Sequence, residues 1–129
     1  MATEFEVILE DRPGSLARLG GALGDAGVNI EAIQGINRDG ESLVHFVARD
    51  PEQAAQVLKA ANIPHRTREV LIVNVLDEPG TLGEVALVMA HAGINIDSVY
   101  VTATGNVVLG VDDLKGAIQV AGGMAVMIL

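Results

Sequence analysis

The chain contains an internal repeat, and this repeat limits the possible folds more than any other feature of the sequence. Residues 5–34 align with residues 71–100 at a constant offset of 66 positions, without a gap. Both stretches contain Asp-x-Pro-Gly-[Ser/Thr]-Leu, beginning at Asp11 and at Asp77, and later Ala-Gly-[Val/Ile]-Asn-Ile. Because so many Gly, Pro and Asn residues rarely match in register by chance, we interpret the repeat as a duplication.

Each copy predicts the same order of secondary structure, βαββαβ. An apolar strand precedes a Pro-Gly turn, and the following helix has apolar residues at i, i+3, i+7 and i+10, which form one stripe. Two strands joined by a hairpin, a second helix and a closing strand complete the copy. We therefore predict an α+β protein with two domains, 1–69 and 70–129, each an antiparallel sheet with two helices on one face. The predicted strands are 5–9, 28–36, 43–48 and 65–69 in the first copy, and 71–76, 94–102, 107–111 and 125–129 in the second.

The distribution of glycine and proline leads to three further expectations. His65–Leu76 contains neither residue, which predicts one long strand that serves both copies. Gly27 and Gly93 fit the left-handed residue that ends a helix. Three glycines inside the first helix predict close packing against a neighbour or, alternatively, a mobile helix beside a ligand: Gly20, Gly21 and Gly24.

Charge and composition argue against several classes of partner. The net charge is −9, and no cluster of Lys and Arg is present, so the chain should repel nucleic acid and anionic membranes. Without cysteine it has neither disulfides nor thiolate metal sites. The N-terminus carries acids where a signal peptide needs bases, and no apolar stretch reaches the roughly 18 residues of a membrane span. We expect a cytoplasmic protein that binds neither nucleic acid nor membranes.

Few residues have the context that catalysis requires. His45, His65 and His91 lack the spacing typical of metal ligands. Ser15 follows Pro-Gly outside any Gly-x-Ser-x-Gly context, and its position is more typical of a helix start than of a nucleophile. The glycines of residues 20–24 lie inside a helix rather than between a strand and a helix, so they do not indicate a phosphate site. We expect no enzymatic activity, no metal and no cofactor.

The repeated Asp-x-Pro-Gly segment is the motif with the most potential to bind a ligand. It opens a helix, where unpaired backbone N–H groups and the positive end of the helix dipole attract a carboxylate. A nearby Asp or Asn could bind an ammonium group. Asp before Pro-Gly is also a common turn residue that bonds to its own loop, so residue types alone leave both interpretations open.

The combined pattern resembles that of ACT domains. Asp-x-Pro-Gly-x-Leu, an amphipathic helix and Gly-[Val/Ile]-Asn-Ile-[Glu/Asp] occur twice, at Asp11–Glu31 and at Asp77–Asp97. The resemblance implies two ferredoxin-like regulatory modules in tandem, which commonly bind amino acids where two units meet. It implies a ligand between the loop after strand one of one unit and the start of strand two of its partner. The corresponding residues are Asp11, Arg12, Pro13, Gly14, Ser15 and Asn29 in the first copy, and Asp77, Glu78, Pro79, Gly80, Thr81 and Asn95 in the second.

The two loops differ in charge at one equivalent position. Arg12 should favour an anionic group of a ligand, whereas Glu78 should oppose it. We therefore expect the two sites not to be equivalent, with stronger binding at the first loop.

The sequence is compatible with three different functions. The first is a small regulatory or sensing protein that binds an amino acid. The second is a regulatory subunit that docks on an amino-acid biosynthetic enzyme such as acetohydroxyacid synthase, whose small subunit begins similarly. The third is a small ferredoxin-like enzyme, for which the sequence offers no plausible acid–base pair.

The second copy also suggests self-association. Ile72 and Leu76 lie on the face away from the helices, and the closing strand 125–129 is apolar on both faces. Such a surface is too hydrophobic to face water unless the first copy covers it, so we expect a homodimer.

Overall fold

The computed structural model describes residues 2–124, which form an α+β fold with six β-strands and four α-helices. The chain divides into two compact units: the first unit is Thr3–Arg68, and the second unit begins at Glu69. The predicted domains, 1–69 and 70–129, stay a prediction, because compactness does not test independent folding. The elements are β1 (Ala2–Glu10), α1 (Ser15–Asp25), β2 (Ile30–Arg38), β3 (Glu41–Ala48), α2 (Pro51–Ala60), β4 (His65–Val73), α3 (Thr81–His91), β5 (Ile96–Val101), β6 (Val107–Val111) and α4 (Leu114–Ala121).

The first unit has an antiparallel sheet with both helices on one face. Strand β1 pairs with β3, and β3 pairs with β2. Leu19 and Leu23 of α1 share one core with Phe5 of β1 and Leu58 of α2. The ring of Phe5 stacks on that of Phe46, with 5.1 Å between the ring centroids. Because aromatic rings bury large apolar areas, this pair anchors an otherwise aliphatic core.

The second unit repeats this arrangement with a purely aliphatic core. Strand β4 pairs antiparallel with β6, and β6 pairs with β5. Leu71 and Leu109 of the strands pack with Val85 and Met89 of α3 and with Ala117 of α4. The strand predicted at 125–129 lies outside the described residues, so the order described for this unit is βαββα.

The helix starts follow from local sequence. Helices α1 and α3 begin after Gly14 and Gly80, whose φ values of 94° and 91° lie in the left-handed region that glycine adopts readily. Helices α2 and α4 begin after Asp50 and Asp113, whose carboxylates accept a hydrogen bond from a backbone N–H of the first turn. The Pro-Gly helices therefore start without a side-chain cap, unlike the other two.

The structure confirms the expected role of the glycines at two helix ends and contradicts the close packing expected at the glycines inside α1. Gly27 and Gly93 both have φ of 73°, which confirms the left-handed helix ends. The close packing expected at Gly20, Gly21 and Gly24 is wrong, because a Cβ atom at any of them would meet no heavy atom within 4 Å. These glycines lie on the part of α1 that faces away from its buried leucines, so space does not require them.

Of the two side chains expected to promote a homodimer, Ile72 and Leu76, only one is exposed in the structure. Strand β4 is continuous from His65 but ends at Val73, three residues earlier than predicted. Ile72 is fully buried, whereas Leu76 is 70% exposed. Ile72 therefore gives no reason for self-association, and the homodimer stays a prediction that depends on exposed side chains such as Leu76.

Candidate ligand-binding site

Asp11 lies immediately after β1 and is held against the hairpin between β2 and β3. Its backbone N–H donates to the carbonyl of Gly40 at 3.2 Å. Its carboxylate accepts hydrogen bonds from the Asn37 amide and, at 3.5 Å, from the Ser42 hydroxyl. Hydrogen bonds to a carboxylate are stronger than those between neutral groups, so the hairpin fixes the position of this negative charge.

The loop after Asp11 leads into the open N-terminus of α1. Gly14 has no side chain to cap the helix, and the first helical hydrogen bond runs from the Arg18 N–H to the Gly14 carbonyl at 2.9 Å. The Ser15 N–H instead donates to the Arg12 carbonyl at 3.3 Å. The remaining first-turn N–H groups have no partner within the helix, and the dipole adds partial positive charge there.

A groove of about 530 Å³ joins these features. The Asp11 carboxylate and the helix start with Ser15 form its polar side. Leu9 and Val44 are buried at its base, and Ile33 is 44% exposed. The other lining residues are Glu10, Arg12, Leu16, Gln34, Gly35, Ile36, Asn37 and Ser42. The groove thus has a charged end, a helix N-terminus and apolar walls, which suits a small ligand with both polar and apolar parts.

The other predicted loop residues lie around a neighbouring depression. Pro13 and Gly14 line a groove of about 450 Å³ together with Arg12, Ser15 and Arg18. The Arg18 guanidinium donates to the Ala61 carbonyl at 2.6 Å, which ties α1 to the end of α2. The structure therefore brings Asp11, Arg12 and Ser15 to the first groove and places Pro13 and Gly14 on the far side of the loop.

Arg12 attracts an anionic ligand less strongly than its charge alone suggests, because it is paired with Glu10. Its guanidinium lies 2.8 Å from the Glu10 carboxylate, and both side chains are largely exposed. An exposed ion pair contributes little stability, and the paired carboxylate offsets the positive charge that a ligand would meet.

Asn29 lies away from this groove within its own unit. It precedes β2, at the end of the strand opposite to Asn37, and its amide donates to the Glu31 carboxylate at 3.1 Å. Glu31 is buried and also accepts from Arg49 at 2.5 Å. Asn29 therefore stabilises the buried Glu31 carboxylate. Its predicted role in ligand binding stays a prediction.

The second unit places the same loop motif in different surroundings. Glu78, Pro79 and Thr81 line a groove of about 380 Å³, whereas Asp77 and Gly80 do not. Thr81 donates its hydroxyl to the Glu78 carbonyl at 3.1 Å. Within residues 2–124, no hydrogen bond or ion pair involves the Asp77 side chain, so nothing there fixes its carboxylate.

Asn95 is likewise engaged by its own unit. It precedes β5, and its backbone N–H donates to the Asp112 carboxylate at 3.0 Å. The Asp112 N–H returns a bond of 3.2 Å to the Asn95 carbonyl. The paired bonds hold the start of β5, and a ligand contact by Asn95 stays a prediction.

Two hairpin residues that complete the first groove, Asn37 and Ser42, were not predicted from the sequence. Asn37 and Ser42 are opposite each other across β2 and β3, and Leu9 is opposite Ser42. Side chains alternate along a strand, so these positions share the helix-facing side with Asp11. The sequence feature that could have identified them is a pair of polar residues at the end of an otherwise apolar strand face, next to the predicted turn.

Two histidines contact polar groups of the first unit. The His45 imidazole lies 3.0 Å from the Glu6 carboxylate, and His65 donates to the Ile63 carbonyl at 3.1 Å. No group of three or more His, Asp or Glu side chains in the described part of the chain is arranged to hold a metal ion. None of the helices formed by residues 2–124 is both long and apolar enough to span a membrane.

Comparison with known proteins identifies the class of the first unit. Residues 3–62 match the family model of the ACT domain, so this unit contains one ACT domain. The match covers somewhat less than half of the chain and does not extend to the second unit. It supports a regulatory role based on small-molecule binding. No curated protein matches the chain in sequence.

Solved structures share the fold over most of the chain. Protein BT0572 from Bacteroides thetaiotaomicron superposes with a TM-score of 0.85 at 22% identity, over 92% of this chain and 85% of that one. The regulatory subunit of aspartate kinase from Thermus thermophilus, in a ligand-free form, gives 0.69 at 19% identity, over 92% and 89%. The corresponding subunit from Thermus flavus gives 0.62 at 18% identity, over 93% and 89%. At these identities the likeness establishes the fold alone.

Proposed function

We propose that this chain is a cytoplasmic tandem ACT protein that binds a zwitterionic amino acid in the groove of its first unit and thereby regulates a partner. The observation that carries the proposal is the Asp11 carboxylate, held by Asn37 and Ser42 beside the uncapped start of α1. The internal repeat and the ACT match of residues 3–62 support it.

The groove offers complementary groups for both charges of an amino acid. The ammonium group binds the fixed carboxylate of Asp11, and the ligand carboxylate binds the first-turn N–H groups of α1 that follow Ser15. The net charge of −9 disfavours ligands with a net negative charge, whereas a zwitterion carries none. An ordered carboxylate also needs no rearrangement to receive the ligand, which preserves affinity.

A stability screen against the twenty amino acids tests this proposal. A ligand that binds only the folded state raises the free energy of unfolding by about 2.7 kcal/mol when its concentration is 100 times the Kd. We expect at least one neutral amino acid to raise Tm in a concentration-dependent way. If none raises Tm at millimolar concentration, the amino-acid proposal is wrong.

A second candidate, a regulatory subunit of an enzyme such as acetohydroxyacid synthase, is favoured by the surface of α3. Leu82, Leu87 and Val88 are 50%, 55% and 37% exposed on this helix. Leu87 and Val88 are adjacent in sequence, and contiguous exposed apolar surface marks protein-binding sites. Co-elution with the purified synthase, lost in Leu87→Glu but kept in Leu16→Glu, supports this candidate; separate elution of the unmodified chain contradicts it.

A further inference from the structure

Gly35 forms part of the groove wall at a position that does not require glycine. It lies on β2 opposite Val44 of β3, outside the left-handed backbone region. A Cβ atom there would lie 3.5 Å from Val44 Cγ2, which is ordinary van der Waals contact. Glycine inside a strand costs stability because it orders more backbone and packs no side chain. Neither the backbone nor the packing of the protein explains this residue.

The second unit shows that a larger residue fits this position in the same fold. The repeat offset of 66 places Val101 at the equivalent position. The sheet register agrees, since Val101 is opposite Val107 just as Gly35 is opposite Val44. Valine is favoured in strands, so the second unit has the expected residue and the first unit has the exception.

The residues around Gly35 determine which chemical groups fit into the space beside it in the groove. Three residues that line the groove with Gly35 are apolar: Leu9 and Val44 are 8% and 4% exposed, and Ile33 lies two residues earlier on the same face of β2. A charged side chain placed here would lose its hydration without a partner, which is unfavourable. Aliphatic groups instead gain from leaving water.

We propose that Gly35 is a specificity-determining residue, and that the space beside it accepts the branched aliphatic side chain of an amino acid whose ammonium group binds Asp11. This inference rests on the proposed amino-acid site and adds the class of ligand to it. Substitution by valine, as in the second unit, fills the space and excludes the larger ligands.

Titration calorimetry with leucine, valine, alanine, glutamate and lysine on the full chain tests the inference. We expect the unmodified protein to prefer leucine or valine over alanine, glutamate and lysine. Since one methylene in an apolar pocket changes affinity by about tenfold or more, Gly35→Val should weaken leucine binding at least that much while alanine binding changes little. Gly35→Ala should give an intermediate loss for leucine. Gly24→Ala, which adds a methyl group in open space on α1, is the matched control and should bind like the unmodified protein.

The outcomes separate this inference from the proposed function. Binding of leucine with equal affinity by the unmodified protein and by a folded Gly35→Val variant overturns the role of Gly35. Preference of the unmodified protein for glutamate or lysine overturns the aliphatic class. Both results leave the amino-acid site in place, whereas absence of binding by all amino acids removes the site itself. Circular dichroism and Tm establish folding, and Gly35→Ala provides the test if Gly35→Val does not fold.

Discussion

The two units carry the same Asp-x-Pro-Gly loop, yet within residues 2–124 only the first unit holds the loop carboxylate with side chains of the neighbouring hairpin. In the first unit, β1 continues to Glu10 and is opposite Glu41 at its end, so the hairpin reaches Asp11. In the second unit, β4 ends at Val73 opposite Val107, and Asp77 lies four residues beyond this end. A loop motif therefore does not define a site by itself, because the neighbouring hairpin decides whether its carboxylate is held.

The two hairpins differ in length and also in the residue at the position of Asn37. Strands β2 and β3 have nine and eight residues, whereas β5 and β6 have six and five. The repeat offset places Ala103 where the first unit has Asn37, so the second unit has no side-chain amide at that position. We propose that the ligand site lies in the first unit, where an uncapped helix start and a held carboxylate occur together.

The largest expected effect comes from removing each loop carboxylate in turn. Asp11→Ala should weaken amino-acid binding by about 10- to 100-fold, because hydrogen bonds to charged groups contribute about 1.5–3 kcal/mol. Asp77→Ala is the matched control in the second unit and should leave the Kd unchanged. Titration calorimetry measures both, and a loss of binding confined to Asp77→Ala would reverse the comparison.

A smaller effect is expected from making the first hairpin resemble the second. Asn37→Ala introduces the residue found at position 103 and removes one hydrogen bond to Asp11. The ligand should bind about three- to tenfold more weakly, because one net hydrogen bond contributes about 1 kcal/mol. Asn74→Ala, in the groove of the second unit, should have no effect on the Kd. Equal Kd values for the Asn37→Ala and unmodified proteins would show that Asp11 needs no positioning.

The smallest effect concerns the charge that distinguishes the two loops. Arg12→Glu gives the first loop the charge of Glu78, but Arg12 is exposed and already paired with Glu10. We expect about two- to fivefold weaker binding at low ionic strength and a smaller change at high salt, where exposed charges are screened. A change that persists at high salt would indicate a direct, buried contact with the ligand instead.

Much of the secondary structure could be predicted from periodicity and turn residues. The helix stripe through Leu19 and Leu23 and the left-handed glycines at 27 and 93 are local features, and the structure contains them. The end of β4 could not be predicted in this way. Val75 and Leu76 are apolar and no Gly or Pro intervenes, but the hairpin of the second unit is too short to pair with residues 74–76.

The site was only partly predictable for a related reason. Asp11 and Ser15 belong to a motif that is visible in sequence, whereas Asn37 and Ser42 reach Asp11 only through the strand register. A shift of one residue in that register would turn both side chains to the other face of the sheet. The charge difference between Arg12 and Glu78 was visible, but the pairing with Glu10 that weakens it depends on side-chain geometry.

Titration of the isotope-labelled full chain with leucine, followed by two-dimensional NMR, tests most directly whether the ligand binds in the first unit. We predict one bound ligand per chain, with amide shifts concentrated in residues 9–18 and 33–44, around the groove of the first unit. Shifts concentrated around residues 74–88 would contradict the claim that the first unit alone carries the site. Saturation at two ligands per chain, with similar shifts around both loops, would contradict it equally.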